Sequence, residues 1–292
     1  MVGVTEVRAN GLGIYYETVG DPADPPLLLI MGLGAQLIDW PAGFVEQLAG
    51  RGFHVILFDN RDAGLSTALD DLGLPDIPAI IGGDPSSVAY LLSDLAADAA
   101  DLLKALGIDR AHVVGASMGG MIAQQLVIDR PDVVASLASI MSTTGARGVG
   151  RPTPAAQAVL LRPPAADRAE AIANGIETAR VIGSPAYPAP RADIERRVGA
   201  KYDRGYRPAG TLRQYAAIIA SPDRTEGLRD VAVPAVVIHG EADPLVPMSG
   251  GLATAEAIPG AELVLIPGMG HDLPVQLWTQ VVDAIAANAA RR

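Results

Sequence analysis

The chain has no cysteine, only four histidines and no long apolar segment, and each of these absences excludes a class of protein. Without cysteine it can form no disulfide and cannot use a thiol nucleophile. Its histidines show no metal-ligand spacing, so we expect neither a metal nor another cofactor. No apolar run approaches the length of a membrane span, and residues 1–6 lack the basic segment of a secretion signal. We therefore expect a cytoplasmic protein that does not bind membranes.

Basic residues are also scarce, since 22 Lys and Arg face 33 Asp and Glu and leave a formal net charge of −11. A strongly acidic protein is repelled by nucleic acid and by anionic membrane surfaces. The expected partners are therefore a small-molecule substrate and water, and the oligomeric state stays open.

Apolar runs with strand character lie near residues 27, 54, 111, 134, 235 and 262, and they alternate with helical stretches. This alternation is typical of an α/β protein with a parallel sheet and crossover helices. Hydrophobic residues make up 49% of the chain, which is enough to cover both faces of such a sheet.

The alternation stops after a strand predicted over residues 133–142. The next eighty or so residues, rich in Pro, Arg and Ala, are longer than an ordinary connection. We predict a helical cap over residues 145–225, inserted into a core formed by residues 1–144 and 226–292. The expected cap helices cover residues 153–161, 166–182, 191–206 and 211–221.

A G-x-S-x-G pentapeptide, Gly115 to Gly119 around Ser117, follows the apolar run 111–114 and precedes the helical stretch 121–130. The order strand, serine, helix indicates a nucleophile elbow, a tight turn that presents the serine hydroxyl at the carboxyl edge of a sheet. Such a pentapeptide alone also occurs by chance in loops. Here its context favours Ser117 as a nucleophile.

A serine nucleophile needs a base, and His271 is the best candidate. It lies in a glycine-rich loop after the predicted strand 263–266, where a base can approach the serine closely. His54 and His112 open strands and belong at the opposite edge of the sheet. His239 is a distant second candidate.

The acid that orients the base is expected just after the strand that ends near residue 238. Asp243 and Glu241 are both available there, and Asp243 is favoured because a proline follows it and rigidifies the turn. The chain order Ser117, Asp243, His271 is that of α/β-hydrolases.

The chain as a whole resembles α/β-hydrolases of the esterase type. Residues 20–25, 27–32, 112–115 and 267–271 are similar to the aclacinomycin methylesterase group and related actinobacterial carboxylesterases. The resemblance implies a mostly parallel eight-stranded sheet with helices on both faces and an inserted helical cap.

The resemblance also implies an oxyanion hole made by two backbone amides, those of Leu33 and Met118. Relatives usually carry a His-Gly pair in the loop after the third strand, whereas this chain has Met31 and Gly32. A histidine that braces the loop is therefore missing, although both donors remain. The same residues are also compatible with a simple strand-to-helix connection.

The segment 58–66 resembles the family's D-x-R-G-x-G-x-S turn, with Asp62 in place of the first glycine. We expect Arg61 to be structural, paired with Asp59 or Asp62 beside the active site.

These features predict a serine carboxylesterase that acts through an acyl-enzyme on a small to medium, largely apolar ester, with the methyl ester of a polycyclic acid as one candidate. A cofactor-free haloperoxidase or perhydrolase with the same triad is the alternative, as is a non-catalytic ligand-binding homologue. An epoxide hydrolase or dehalogenase is disfavoured because those relatives attack with aspartate. Substrate contacts are expected from apolar residues under the cap, namely Leu160, Leu161, Ile218 and Ile219, each of which could instead pack within the cap.

Overall fold

The structure, a computed structural model, describes residues 6–291. Its strands are β1 (Glu6–Ala9), β2 (Leu12–Val19), β3 (Pro26–Ile30), β4 (His54–Phe58), β5 (Ala111–Ala116), β6 (Val134–Ile140), β7 (Ala235–Gly240) and β8 (Glu262–Ile266). They form one eight-stranded sheet in the order β1-β2-β4-β3-β5-β6-β7-β8. Strand β2 is antiparallel to both neighbours, and the other pairs are parallel. The predicted mostly parallel sheet is confirmed.

Helices cover both faces of this sheet because successive residues of each buried strand point to opposite sides. In β3, Leu28 and Ile30 pack with the helices α3 (Leu92–Ala105) and α4 (Met118–Asp129), whereas Leu27 and Leu29 pack with α1 (Ala42–Ala49) and α11 (Trp278–Ala289). The α-helices outside the β6–β7 connection are α1 (Ala42–Ala49), α2 (Ile77–Ile81), α3 (Leu92–Ala105), α4 (Met118–Asp129), α10 (Ser249–Ala257) and α11 (Trp278–Ala289). Among residues 6–291, no helix is both long enough and apolar enough to cross a membrane.

Five α-helices lie in the connection between β6 and β7: α5 (Pro154–Leu160), α6 (Arg168–Ile182), α7 (Arg191–Gly205), α8 (Pro208–Ala220) and the short α9 (Thr225–Leu228). Two of them begin at side-chain caps, because Thr153 accepts the Ala156 amide and Asp167 accepts the Glu170 amide. Helix α8 begins three residues before its predicted start, since a proline fits the first turn of a helix. The domain boundaries at residues 145 and 225 stay a prediction.

Buried ion pairs attach α7 and α8 to the loop that follows β4. Arg204 of α7 bonds Asp59 at 2.7 Å. Arg213 of α8, only 1% exposed, bonds Asp62 at 2.7 Å. The second half of the inserted segment is therefore fixed to the core by charges that are shielded from water.

The prediction that Arg61 pairs with Asp59 or Asp62 was wrong. Its guanidinium makes two 2.6 Å hydrogen bonds to Asp98 of α3, because Asp59 and Asp62 face the arginines of the inserted segment instead. The structural role expected of Arg61 agrees with this buried pair.

Candidate active site

Ser117 occupies the turn between β5 and α4, with φ 56° and ψ −121°, a left-handed conformation that is strained for a residue with a side chain. Strand and helix nearly touch there. A Cβ on Gly115 would lie 2.1 Å from the Gly119 carbonyl oxygen, and one on Gly119 would lie 2.0 Å from the Ile30 carbonyl oxygen. Only glycine fits these two positions, so the pentapeptide composition follows from the geometry of the turn.

The structure brings together the three residues that the sequence predicted as a triad. The Ser117 hydroxyl lies 2.9 Å from Nε2 of His271, and Nδ1 of His271 lies 2.6 Å from Oδ2 of Asp243. A carboxylate can only accept, so Nδ1 carries the hydrogen of the neutral imidazole. Nε2 is then left as the acceptor for the Ser117 proton, as a general base requires.

Asp243 is buried, at 4% exposure, and its second oxygen is occupied as well. Oδ1 accepts the amides of Leu245 and Val246 at 2.8 and 2.9 Å. Three donors therefore hold this carboxylate in one orientation. Glu241, the other candidate acid, is exposed to solvent.

The remaining histidines lie away from the serine. His54 and His112 stand at the amino ends of β4 and β5, and His112 bonds the Ser136 hydroxyl at 2.8 Å. His239 is fully buried in β7, where Nε2 bonds the Val246 carbonyl at 2.7 Å and stands 3.8 Å from Asp243. Burial lowers the pKa of His239, which favours its neutral form.

The loop after β3 lies against the serine, as an oxyanion loop would. A Cβ on Gly32 would lie 3.1 Å from the Ser117 Cβ and 3.6 Å from its hydroxyl oxygen. Within residues 6–291, the Leu33 amide donates no hydrogen bond, and Met118 is the first residue of α4, ahead of the helix's hydrogen-bonded amides. Both amides are therefore available to a ligand oxygen beside Ser117.

Two side-chain amides, which sequence reasoning missed, brace this loop. The Asn60 side chain donates to the Met31 carbonyl at 3.0 Å, and Gln214 of α8 accepts the Gly34 amide at 2.8 Å. Gln214 is 180 residues from Gly34 along the chain, so no local signal marks the pair.

A cavity of about 420 Å³ opens onto His271 and Leu33. Its wall is built largely by α6, α7 and the start of α8, with apolar side chains from Ile182, Val198 and Leu212. Tyr202 and Tyr206, whose rings stack with centroids 4.9 Å apart, also line it. This volume is typical of a site for a small organic molecule.

The predicted substrate contacts are only partly in this cavity. Leu160 lines it, whereas Leu161, Ile218 and Ile219 do not. Leu161 is 44% exposed, and Ile218 packs on the core beside α3 and α4. The structure does not bring these three side chains to the cavity wall, and their predicted substrate contacts stay a prediction. Across the part of the chain that the structure describes, no three His, Asp or Glu side chains are grouped as metal ligands.

Comparison with known families agrees with this architecture. Residues 25–174 match the model of the alpha/beta hydrolase fold, and residues 217–285 match that of the TAP-like protein family.

Individual proteins are similar over most of the chain. The rhodomycin D methylesterase DauP of Streptomyces sp. (strain C5) is 31% identical, with 97% of this chain and 96% of the relative covered. BpoC of Mycobacterium tuberculosis, named as a candidate non-heme bromoperoxidase, is 25% identical over 84% of this chain and 86% of its own. The solved structure of the meta-cleavage product hydrolase CumD from Pseudomonas fluorescens IP01 superposes with a TM-score of 0.76 at 19% identity, covering 97% and 96% of the two chains.

Proposed function

Because the chain belongs to the α/β-hydrolase family and is an ester hydrolase of the carboxylesterase type, we propose that it cleaves its substrate through an acyl-enzyme on Ser117. The observation that carries this proposal is the continuous chain of hydrogen bonds from the Ser117 hydroxyl through His271 to Asp243. These hydrogen bonds connect a nucleophile, a base and an orienting acid, each in contact with the next.

In the proposed reaction, His271 takes the Ser117 proton through Nε2 as the hydroxyl oxygen attacks the ester carbonyl. The amides of Leu33 and Met118 donate to the oxyanion, and loss of one such donor typically costs about a hundred- to a thousandfold in turnover. His271 then returns its proton to the leaving alcohol as the ester bond breaks. Water repeats the sequence on the acyl-enzyme, which releases the acid and restores Ser117.

The cavity supports a substrate with a bulky ring system. Stacked aromatic side chains and aliphatic walls complement a planar apolar group, and the relative DauP is named as a methylesterase of rhodomycin D. We therefore place the methyl ester of a polycyclic acid first among candidate substrates. In this proposal residues 145–225 act as a cap that selects the ester.

The test is a Ser117→Ala variant, compared with the unaltered protein on p-nitrophenyl esters of increasing acyl length and on methyl esters of polycyclic acids. Turnover and fluorophosphonate labelling should both be lost in the variant while its circular dichroism is unchanged. Ester turnover that survives in a folded Ser117→Ala protein would overturn the proposal.

The similarity to BpoC favours one second candidate, a perhydrolase that uses the same triad with hydrogen peroxide as the second nucleophile. Adding peroxide and acetate to the same assay distinguishes the two functions. An esterase should form little peracetic acid at peroxide concentrations at which a perhydrolase forms it readily.

A further inference from the structure

The backbone around the candidate base is bonded to the inserted segment, not only to the sheet. The His271 amide donates to the Ile182 carbonyl at 2.7 Å, and the Gly270 amide donates to the Ser184 hydroxyl at 2.8 Å. A Cβ on Gly270 would lie 2.5 Å from the Gly183 carbonyl oxygen, so the two segments are in direct contact. The position of the base thus depends on the end of α6.

Asp272 completes this contact. Its carboxylate accepts the Ser184 amide at 3.1 Å and also the Ser184 hydroxyl. Ser184 is 3% exposed, and its hydroxyl therefore donates to Asp272 while it accepts from Gly270. We call the hydrogen bonds between residues 182–184 and residues 270–272 the latch.

The latch is a main attachment of α6 to the core. All fifteen residues of α6 are described, and none of their side chains is fully buried. The helix packs mainly on α5 and α7, whereas buried ion pairs fix α7 and α8. The end of α6 and the base loop consequently hold each other in place.

Two charged or titratable groups act on the pKa of Asp272. Arg197 of α7 belongs to the inserted segment, and His271 precedes Asp272 in the loop. Burial raises the pKa of Asp272, while the two Ser184 hydrogen bonds and these two neighbours lower it. The carboxylate thus depends on Ser184 for much of the hydrogen bonding that replaces water.

We propose that Ser184 and Asp272 are positioning residues, which act through the latch to hold His271 within reach of Ser117. The Ser117 hydroxyl is hydrogen-bonded to His271 and to neither of these side chains, although Asp272 reaches the cavity wall. In this proposal neither side chain takes part in bond making. Their effect is on geometry, and a displacement of a reacting group by about 1 Å can cost roughly a hundredfold in rate. The inference rests on the proposed function, because it gives the latch a role in that same reaction.

The experiment compares Ser184→Ala, Asp272→Asn and Asp272→Leu with a matched control, Ser221→Ala. Ser221, at the end of α8, also accepts a core amide, that of Leu92 at 2.9 Å, but lies in the other half of the inserted segment. The rate constant for p-nitrophenyl acetate is measured per active site, with sites counted by fluorophosphonate titration. Hydrogen exchange of the 267–273 peptide is followed in the same proteins.

We expect kcat to fall about ten- to a hundredfold in Ser184→Ala and Asp272→Leu, with KM changed less than about twofold. Asp272→Asn, which keeps an acceptor oxygen, should retain most activity, and Ser221→Ala should match the unaltered protein. Exchange in peptide 267–273 should quicken only in the two damaging variants.

Two results would overturn the inference. One is an unchanged kcat per titrated site in both Ser184→Ala and Asp272→Leu, while the unaltered protein is labelled and active. The other is a loss in Ser221→Ala as large as that in Ser184→Ala, which would indicate general destabilisation. If the unaltered protein were neither labelled nor active, the proposed function itself would fall, and the role of the latch with it.

Discussion

Two carboxylates follow β7, and only one of them contacts the candidate base. Asp243 bonds Nδ1 of His271, whereas Glu241 faces solvent. We expect Asp243→Asn to lower kcat for p-nitrophenyl acetate by about four orders of magnitude, because asparagine can stabilise the wrong imidazole tautomer. Glu241→Gln should stay within about twofold, since a solvated side chain contributes little to the site. The reverse ranking would move the acid to Glu241.

His239 lies behind that carboxylate and links stability to pH. Its pKa is lowered by burial, and the charged or titratable groups near it are Asp243 and His271. Because the pKa of His239 is lowered in the folded protein, there is a pH range in which this histidine binds a proton in the unfolded chain but stays neutral in the folded protein. Stability is therefore complete above the ordinary histidine pKa of 6.5 and is lost as the pH falls below it.

This pH dependence is tested by measuring the free energy of unfolding by urea at pH 7.5 and at pH 5.5. A single proton changes it by at most about 1.4 kcal/mol per pH unit. His239→Gln can still donate to the Val246 carbonyl but cannot titrate, so its loss of stability between the two pH values should be smaller. His112, whose pKa burial also lowers, contributes equally in both proteins. Equal losses would contradict this account of His239.

At the scale of elements, the inserted segment is attached in two different ways. Its second half is anchored by buried charges, and α8 depends on Arg213, which bonds Asp62 and also Asp70 at 2.8 Å. Pairing with Arg213 offsets the desolvation of the buried Asp62 carboxylate. The pKa of Asp62 therefore lies below its ordinary value despite burial. The Arg213 guanidinium is thus the positive charge that balances the buried Asp62 carboxylate in the loop after β4.

Arg213→Met should destabilise the protein by about 3–5 kcal/mol, because it leaves the Asp62 carboxylate buried without its counter-charge. Urea unfolding measures the loss. Arg168→Met is the control, since the Arg168–Asp203 pair joins α6 to α7 in solvent, at 51% and 56% exposure, and should barely move the midpoint. A similar midpoint for both variants would contradict the anchoring role of Arg213.

The elements that the sequence predicted well are those with local signals. Thr153 and Asp167 lie at the starts of helices that were predicted, and the glycines of the elbow follow from the closeness of β5 and α4. The partner of Arg61 could not be predicted, because Asp98 comes from a helix 37 residues away. Nor does periodicity alone say which face of α8 meets the cavity, and Ile218, a predicted substrate contact, packs against the core and does not line that cavity.

For the whole molecule, the cavity between the inserted segment and the core should determine which ester is cut. Tyr202→Ala and Leu212→Ala enlarge its wall, so we expect both to change the ranking of bulky against small esters more than the turnover of p-nitrophenyl acetate. Leu161→Ala, on an exposed side chain outside the cavity, is the matched control. A uniform fall for all esters in the wall variants would mean that the wall affects stability or access in general. If the latch acts as proposed, the inserted segment affects the rate of hydrolysis as well as the choice of ester.

Ser117 and His271, whose side chains lie 2.9 Å apart, are separated by 154 residues of chain. Because proteins are made from the amino end, the proposed nucleophile leaves the ribosome well before the proposed base has been synthesised. On the proposed mechanism a half-made chain carries an inert serine, and hydrolysis can begin only when β8 has joined the edge of the sheet. The timing of synthesis would then keep this activity switched off until the fold is nearly complete.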